Sequence, residues 1–373
     1  MIRVCHLTSA HNAYDTRIFY KECISLSKNG YDVHLVAPNS IEGVTSGVQV
    51  HSVSRKSTSR ISRAIITAFK VLKKGLSIKA KVYHFHDPEL VWVGIILRMF
   101  GKKVIFDIHE NIRGQIKIKK WLPFRELVAK CYFVVDWIAA KLFYLILAEN
   151  SYESIYKGIS NKYTIVLNLP DIDGLEGYKI EDRSKLENGI LYIGSVAQHR
   201  GILDIIEALS IMDKKKIDFH FHCVGPFSDN LPEMLEANEF YPQIKDKITF
   251  YGLQPVYEAY KLSEKCKLGL SVLQPIENYL NSYSTKVFEY MAIGLPFIVS
   301  DFELYRFVKE DNVGVLIDPL SAGSIAFGLE SILLDSTKGN QMGENGVRIV
   351  NKEFTWESQE KKLLNFYQSL LSN

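Results

Sequence analysis

Cysteine is scarce and scattered: Cys5, Cys23, Cys131, Cys223 and Cys266 form no C-x-x-C pair. That excludes a thiolate zinc knot and a disulfide framework, fits a reducing compartment, and leaves the thiols as small core residues. Low-complexity stretches and short repeats are absent, and 47% hydrophobic with 23% charged residues excludes a disordered or fibrous chain. No apolar run is long enough to span a bilayer unbroken. The most apolar stretch, Leu127 to Ala148, is interrupted by Lys130, Asp136 and Lys141, so it reads as a buried or interfacial helix running into a strand. A secretory leader is also missing from MIRVCHLTSAH, which enters a strand at once, and a cytoplasmic protein is expected.

Acidic residues are short in the first half. Residues 1–170 hold 25 Lys and Arg against 12 Asp and Glu, a balance of +13, whereas residues 171–373 hold 20 against 30, a balance of −10. Such asymmetry points one half at something anionic. None of the usual nucleic-acid recognition motifs is present, so phosphate or an acidic membrane is the expected partner and nucleic acid is not. Between Glu42 and Asp87 there is no acid at all, yet Arg55, Lys56, Arg60, Arg63, Lys70, Lys73, Lys74, Lys79 and Lys81 occur there. Ile61, Ala64, Ile65, Ala68, Phe69 and Leu72 follow helical spacing within that run, and Arg113 to Arg125, with Lys117, Lys119, Lys120, Trp121 and Phe124, is a second acid-free stretch. Both read as surfaces for anionic lipid; the alternative is a core-facing helix with solvated lysines.

What is present is a rhythm of apolar β-rich runs and helical patterns. Strands are expected at Ile2–Leu7, Asp32–Ala37, Val48–Val53, Val82–Phe85 and Val104–Ile108, with a helix near Ile18–Lys28. Turn formers from Asn168 to Gly174 and a polar segment to Asn188 then mark a linker. The rhythm restarts at Ile190–Ile193, Phe219–Val224, Ile248–Tyr251, Leu268–Val272, Pro296–Ser300 and Val313–Ile317. This is the pattern of two doubly wound α/β domains with parallel sheets, here 1–170 and 189–352 joined by 171–188, facing each other across a ligand cleft. A closing amphipathic helix in 353–373, with Trp356, Leu363, Leu364, Phe366, Tyr367 and Leu370, packs back on the body.

The most informative segment is Asn281-Ser-Tyr-Ser-Thr-Lys-Val-Phe-Glu289, followed by Gly294 and Pro296. Ser284 or Thr285 can cap a helix starting near Lys286, which leaves free N–H groups and a positive dipole end suited to a diphosphate. Lys286 adds charge, and Glu289, one turn on, can accept both hydroxyls of a ribose. A surface-polar amphipathic helix ending at Gly294 is the plainer alternative. Gly194-Ser195-Val-Ala-Gln-His-Arg200-Gly201 lies between an expected strand and helix, the setting of a phosphate loop without dinucleotide glycine spacing. His84 and His86 alternate on a strand with Asp87 just beyond it, while Asp15 and Arg17 sit in the loop after the first strand. Of these, His86, Asp87, Asp15 and Arg17 are candidates for the acceptor side. His220 and His222 share a strand face and read as structural.

In their order these segments resemble glycosyltransferase family 4, the retaining GT-B enzymes, and especially its bacterial polysaccharide-assembly members. The Asn281–Glu289 stretch is similar to the family's E-x7-E region and Gly194 to Gly201 to its G-R-x-x-x-x-K-G loop. His6-Leu-Thr-Ser, Asp15-Thr-Arg-Ile-Phe with Lys21-Glu22, His84-Phe-His-Asp-Pro-Glu-Leu90, Asp107-Ile-His-Glu110 and Phe354-Thr-Trp356 complete the set. The resemblance implies that Glu289 holds the donor ribose, that Arg200 neutralises the diphosphate with help from Lys286, and that His109 approaches the transferred sugar. Glu110 joins Asp15, Arg17, His86 and Asp87 on the acceptor side. Asn281 stands where the family has its first carboxylate and Ser195 where it has an arginine; an amide can hydrogen-bond a sugar but adds no charge. No Asp-x-Asp element occupies the expected place, so neither a metal nor another cofactor is expected. The implied partners are a nucleotide-diphosphate sugar, a lipid-linked or saccharide acceptor and an anionic membrane. A sugar-nucleotide epimerase on the same fold and a non-catalytic nucleotide-sugar-binding module remain alternatives.

Overall fold

The computed structural model describes residues 1–372 apart from 57–58, 60–61, 110–111, 113–115, 117–123, 183–185 and 229. They form two compact units, residues 1–168 with 356–373, and residues 169–355.

In the first unit the described residues build an eight-stranded sheet from β1 (Arg3–Leu7), β2 (Asp32–Pro38), β3 (Gly43–Thr45), β4 (Val48–Val53), β5 (Val82–Phe85), β6 (Lys103–Ile108), β7 (Tyr144–Leu147) and β8 (Tyr163–Ile165). Its order is β3-β4-β2-β1-β5-β6-β7-β8, parallel throughout except for the β3–β4 pair. The two short edge strands, three residues each, carry too little pattern to be found in the sequence. Central strands such as β5 are buried along their whole length, which parallel sheets covered on both faces require. One face is covered by α1 (Ala68–Ile78), α2 (Val91–Met99) and α3 (Arg125–Leu142).

The expected helix over 18–28 differs in kind. Thr16–Cys23 winds as a π-helix, with Ile24–Lys28 continuing as α-helix. Asp15 caps it by accepting from the backbone N–H groups of Arg17 and Ile18 at 2.9 and 3.0 Å, and the wider winding turns Arg17, Lys21 and Glu22 inward.

The apolar spacing of 61–72 splits in the structure. Ala68, Val71, Leu72 and Ile78 belong to the core, while Ile65, Ile66 and Phe69 face outward, and Ile61 lies outside the described residues. Most of the second basic stretch, 113–125, also lies outside them. Helix α3 inverts the usual polarity. It buries Ala129, Asp136, Ala139 and Ala140, and exposes Leu127, Val134, Val135 and Trp137. Asp136 is admitted because it accepts from the Tyr156 hydroxyl at 2.9 Å.

The second unit is a six-stranded parallel sheet of β9 (Gly189–Ile193), β10 (His220–Val224), β11 (Ile248–Gly252), β12 (Cys266–Ser271), β13 (Phe297–Ser300) and β14 (Gly314–Ile317), in the order β11-β10-β9-β12-β13-β14. Helices α4 (Ile202–Lys214), α5 (Thr285–Ala292), α6 (Ala322–Leu333) and α7 (Ser336–Glu353) enclose it, with Ile205, Leu209, Leu268, Ile298 and Leu329 at the core. His220 and His222 bond to Thr249 and Tyr251, each at 2.8 Å, as structural histidines do.

The chain ends in α8 (Trp356–Ser372), which belongs to the first unit. Trp356, Leu363, Tyr367 and Leu370 pack with Val4, Phe19, Val33 and Leu35, and the indole N–H donates to Ser25 Oγ at 2.9 Å. Among the described residues no helix is long and apolar enough to cross a membrane.

Candidate functional site

Two clusters gather the expected residues, one in each unit. In the first unit, the carboxyl ends of β1, β5 and β6 deliver Thr8, Asp87 and His109 to one edge of the sheet. A pocket of about 580 Å³ opens there, lined by His11, His86, Asp87, Asp107, His109 and Glu89 on its polar side and by Ile108, Ile112, Ile116, Val128 and Tyr132 on its apolar side.

Asp87 is a buried anchor of this edge. Its Oδ2 accepts from Thr8 Oγ1 at 2.8 Å and from the backbone N–H groups of Ser9 and Ala10 at 2.6 and 3.2 Å, and His11 Nε2 lies 3.3 Å from Oδ1. His86 is 1% exposed, with Nδ1 at 3.1 Å from Asp107 and Nε2 at 3.0 Å from His6. His109 is the freer imidazole. It lies 3.3 Å from Asp107 Oδ2 and 3.3 Å from His11 Nε2.

Arg17, expected at the open mouth, is 5% exposed and cannot reach a ligand in the pocket. Nε and Nη2 grip both Asp107 oxygens at 2.9 and 2.8 Å, Nη1 donates to the Val166 carbonyl at 3.0 Å, and Glu22 Oε1 is 3.2 Å away. Burial opposes ionisation of Asp107, but the guanidinium outweighs it and holds the carboxyl well below the usual carboxylate range. Asp15 likewise serves the fold as a helix cap; burial works against its charge, and His11 with the N–H groups of Ile18 and Arg17 hold its pKa down. Glu110 lies outside the described residues.

In the second unit, β9 runs into Gly194, whose φ of +139° suits glycine. An added Cβ would lie 3.4 Å from Lys286 Nζ and 3.6 Å from Arg200 Nη1, so two cations flank this turn. Gly201, at φ +72°, opens α4, and a Cβ there would come within 2.7 Å of Val272. Lys286 is buried rather than a surface charge, because its stem runs from the first turn of α5 back under β9. Its ammonium sits 4.0 Å from the Tyr192 ring centroid and has no hydrogen-bond partner, and Arg200 Nε has none either. Burial first, then Arg200, pull the Lys286 pKa from 10.5 to about 7. Two unsatisfied buried donors are costly unless an anion completes them.

Ser284 holds the N-cap position of α5, but its side chain makes no cap hydrogen bond, so with Thr285 at the first helical position the turn keeps unpaired donors. Glu289 is half-buried and accepts from the Tyr260 hydroxyl at 2.5 Å. Asn281 is exposed, just after the short turn Glu277–Leu280. Ser195 contributes its carbonyl to the Tyr192 hydroxyl at 2.7 Å. Tyr192, Tyr260 and His11 were not singled out from the sequence. Nothing local marks them, since each matters only through a partner distant in the chain.

Residues 179–348 match the family Glycosyl transferases group 1. An uncharacterised glycosyltransferase of Methanocaldococcus jannaschii is 23% identical over 228 residues, covering 59% of this chain and 54% of that one. The chain spans about half the length of the curated relatives it matches. Among solved structures, sucrose-phosphate synthase of Thermosynechococcus elongatus has a TM-score of 0.78 at 16% identity, with all of both chains covered. HepE of Anabaena in complex with UDP-glucose has a TM-score of 0.74 at 12% identity, with 99% of this chain and 100% of that one covered. The fold is therefore GT-B, and the second unit, through residues 179–348, carries a Glycosyl transferases group 1 domain.

Proposed function

We propose that the chain is a retaining hexosyl- or N-acetylhexosaminyltransferase that uses a UDP-sugar and acts on a lipid-linked or polysaccharide precursor at a cytoplasmic membrane face. The observation carrying this reading is a pair of buried donors without hydrogen-bond partners, the Lys286 ammonium and Arg200 Nε, beside the Gly194 turn. A diphosphate satisfies both, and the negative charge that grows on it as the glycosidic bond breaks is then stabilised more in the transition state than in the ground state. Glu289, oriented by Tyr260, takes the ribose hydroxyls. That HepE binds UDP-glucose favours uridine as the base. With two cations and a helix N-terminus at the diphosphate, catalysis proceeds without a metal there.

Membrane association is supported by Ile65, Ile66 and Phe69 beside Lys70, Lys73 and Lys74, and by the outward apolar face of α3. Vesicle co-sedimentation should require anionic lipid, weaken with salt, and drop on Val134→Ser with Trp137→Ser; equal binding to neutral vesicles would refute an electrostatic contribution.

The test of the activity is a thermal-shift screen of nucleotide sugars followed by product analysis with and without acceptor. Stabilisation by one UDP-sugar and acceptor-dependent transfer with retention is the expected result. Conversion of the sugar without acceptor would establish an epimerase, and binding without turnover a binding module.

A further inference from the structure

Behind the polar wall of the first unit's pocket, His6, His84, His86 and Glu22 meet in the interior, none more than 1% exposed. Topology brings them together. Parallel pairing of β1 with β5 sets His6 beside His84 in register, His86 follows two residues later on the same face, and the π-helix lays Glu22 against them. His6 Nδ1 is 3.0 Å from His86 Nε2 and 4.0 Å from Glu22 Oε2, and His84 Nδ1 is 3.7 Å from the same oxygen.

Glu22 is the anomaly. Both its oxygens are buried without a hydrogen-bond partner, and His84 Nε2 is likewise unpartnered. Arg17 Nε is 3.2 Å from Oε1, but its single N–H is directed to Asp107 Oδ2. With only the Arg17 guanidinium near it, Glu22 is poorly satisfied: burial and Asp107 push its pKa well above the usual carboxylate range, and the ionised form costs several kcal/mol unless a further cation or donors complete it.

We propose that His6, His84, His86 and Glu22 form a structural site for one divalent transition-metal ion of the zinc class. Three imidazole nitrogens and one carboxylate oxygen suit zinc, cobalt or nickel rather than magnesium or calcium, which favour all-oxygen shells. A tetrahedral ion with bonds of about 2.1 Å spaces its ligands about 3.4 Å apart; three of the six separations here are 3.0, 3.7 and 4.0 Å, and all four ligand atoms lie within 4.8 Å of one another, so a small inward shift of the side chains closes the shell.

Part of the outer shell is in place. Asp107 at His86 Nδ1 fixes the tautomer that leaves the Nε2 lone pair toward the cluster, and Tyr367 of α8 lies 3.5 Å from His6 Nε2, the ring nitrogen that is not a proposed ligand, while the same hydroxyl is 2.9 Å from His84 Nδ1. Binding takes over the His84 lone pair that the Tyr367 hydroxyl now approaches. His86, Asp107 and His109 also converge, but both Asp107 oxygens are occupied by Arg17. The proposed ion lies in the interior, behind His86. It ties β1, β5 and the π-helix together and orients Asp107 and His109 through His86, with no part in the transfer chemistry.

The experiment uses the full chain without a histidine tag, treated with a chelator and titrated with Co²⁺. Wild type should take up one ion per chain with the visible bands of tetrahedral cobalt and a raised Tm. Glu22→Gln and His84→Asn should lose both responses, while His222→Asn in the second unit keeps them. No bands and no Tm rise in wild type, or unchanged responses in both cluster variants, overturns the site. Should those variants fail to fold, X-ray absorption on the cobalt-loaded wild type decides: imidazole scattering supports the site, and its absence overturns it.

Discussion

Lys286 links burial to ligand affinity in a way that pH can read. Its ammonium is packed over Tyr192 with Arg200 nearby, which brings its pKa from 10.5 to about 7. A bound diphosphate sets negative charge against both causes, so the pKa rises in the complex. Below pH 7 the group is charged free and bound, and affinity is flat. Above it the free protein has lost the proton, binding must take one up, and affinity falls about tenfold per pH unit until the bound pKa is reached. From pH 7 to pH 9 that amounts to about fiftyfold, because half the free protein is already deprotonated at pH 7, or about 2.3 kcal/mol. UDP-glucose is the apt probe because its diphosphate is esterified at both ends and does not itself titrate. Calorimetry in buffers of different ionisation enthalpy should show uptake approaching one proton at alkaline pH, and Lys286→Met should abolish both the slope and the uptake. A flat wild-type profile over this range would refute the reasoning. Stability responds with the opposite sign. Between pH 7 and 10.5 the unfolded chain retains a proton that the folded one has lost, so the second unit gains stability as pH rises through that window.

Glu289→Ala should cripple turnover while leaving the Tm within a few degrees, since the residue is only half-buried; near-wild-type turnover would remove Glu289 from the site. Arg17→Met leaves Asp107 and Glu22 buried without their cation and should cost about 3–5 kcal/mol in urea unfolding, whereas a neutral outcome would contradict the buried ion pair. Gly194→Ala places a methyl against Lys286 and Arg200 at a φ hostile to side chains, so UDP-glucose affinity should fall at least tenfold with circular dichroism unchanged; an unaltered Kd would argue against the turn as the diphosphate cradle. Arg200→Ala should lose more turnover than Lys286→Ala because a guanidinium can grip phosphate oxygens in pairs, and the reverse ranking would reassign the principal contact.

Most strands were legible because parallel strands buried on both faces are written as short runs of Val, Ile and Leu. Val48–Val53 and Val82–Phe85 fall where the pattern places them. The closing helix was legible for a similar reason, since Trp356, Leu363, Tyr367 and Leu370 keep helical spacing and all four are buried. Edge strands β3 and β8 were not, and neither was the π-helix, whose side chains follow the same apolar spacing as an ordinary helix while its winding turns Arg17 and Glu22 inward. Helix α3 misleads for another reason. Hydrophobicity locates a buried face only when large apolar residues point inward, and here Ala129, Ala139, Ala140 and Asp136 do so instead.

The sequence by itself determined the two-sheet α/β plan, the order of the motifs and the residue types near the Gly194 turn, since these depend on local periodicity and on neighbours within a few residues. The protonation and orientation of those residues were decided only by tertiary structure. The Lys286 pKa drops to about 7 because folding buries the amine and brings Arg200, about ninety residues earlier in the chain, close to it. Arg17 becomes an internal strut because Asp107, ninety residues later, accepts two of its hydrogen bonds. Charge in a folded protein is set by desolvation and by partners within a few ångströms, and both come from packing between segments that are remote in sequence.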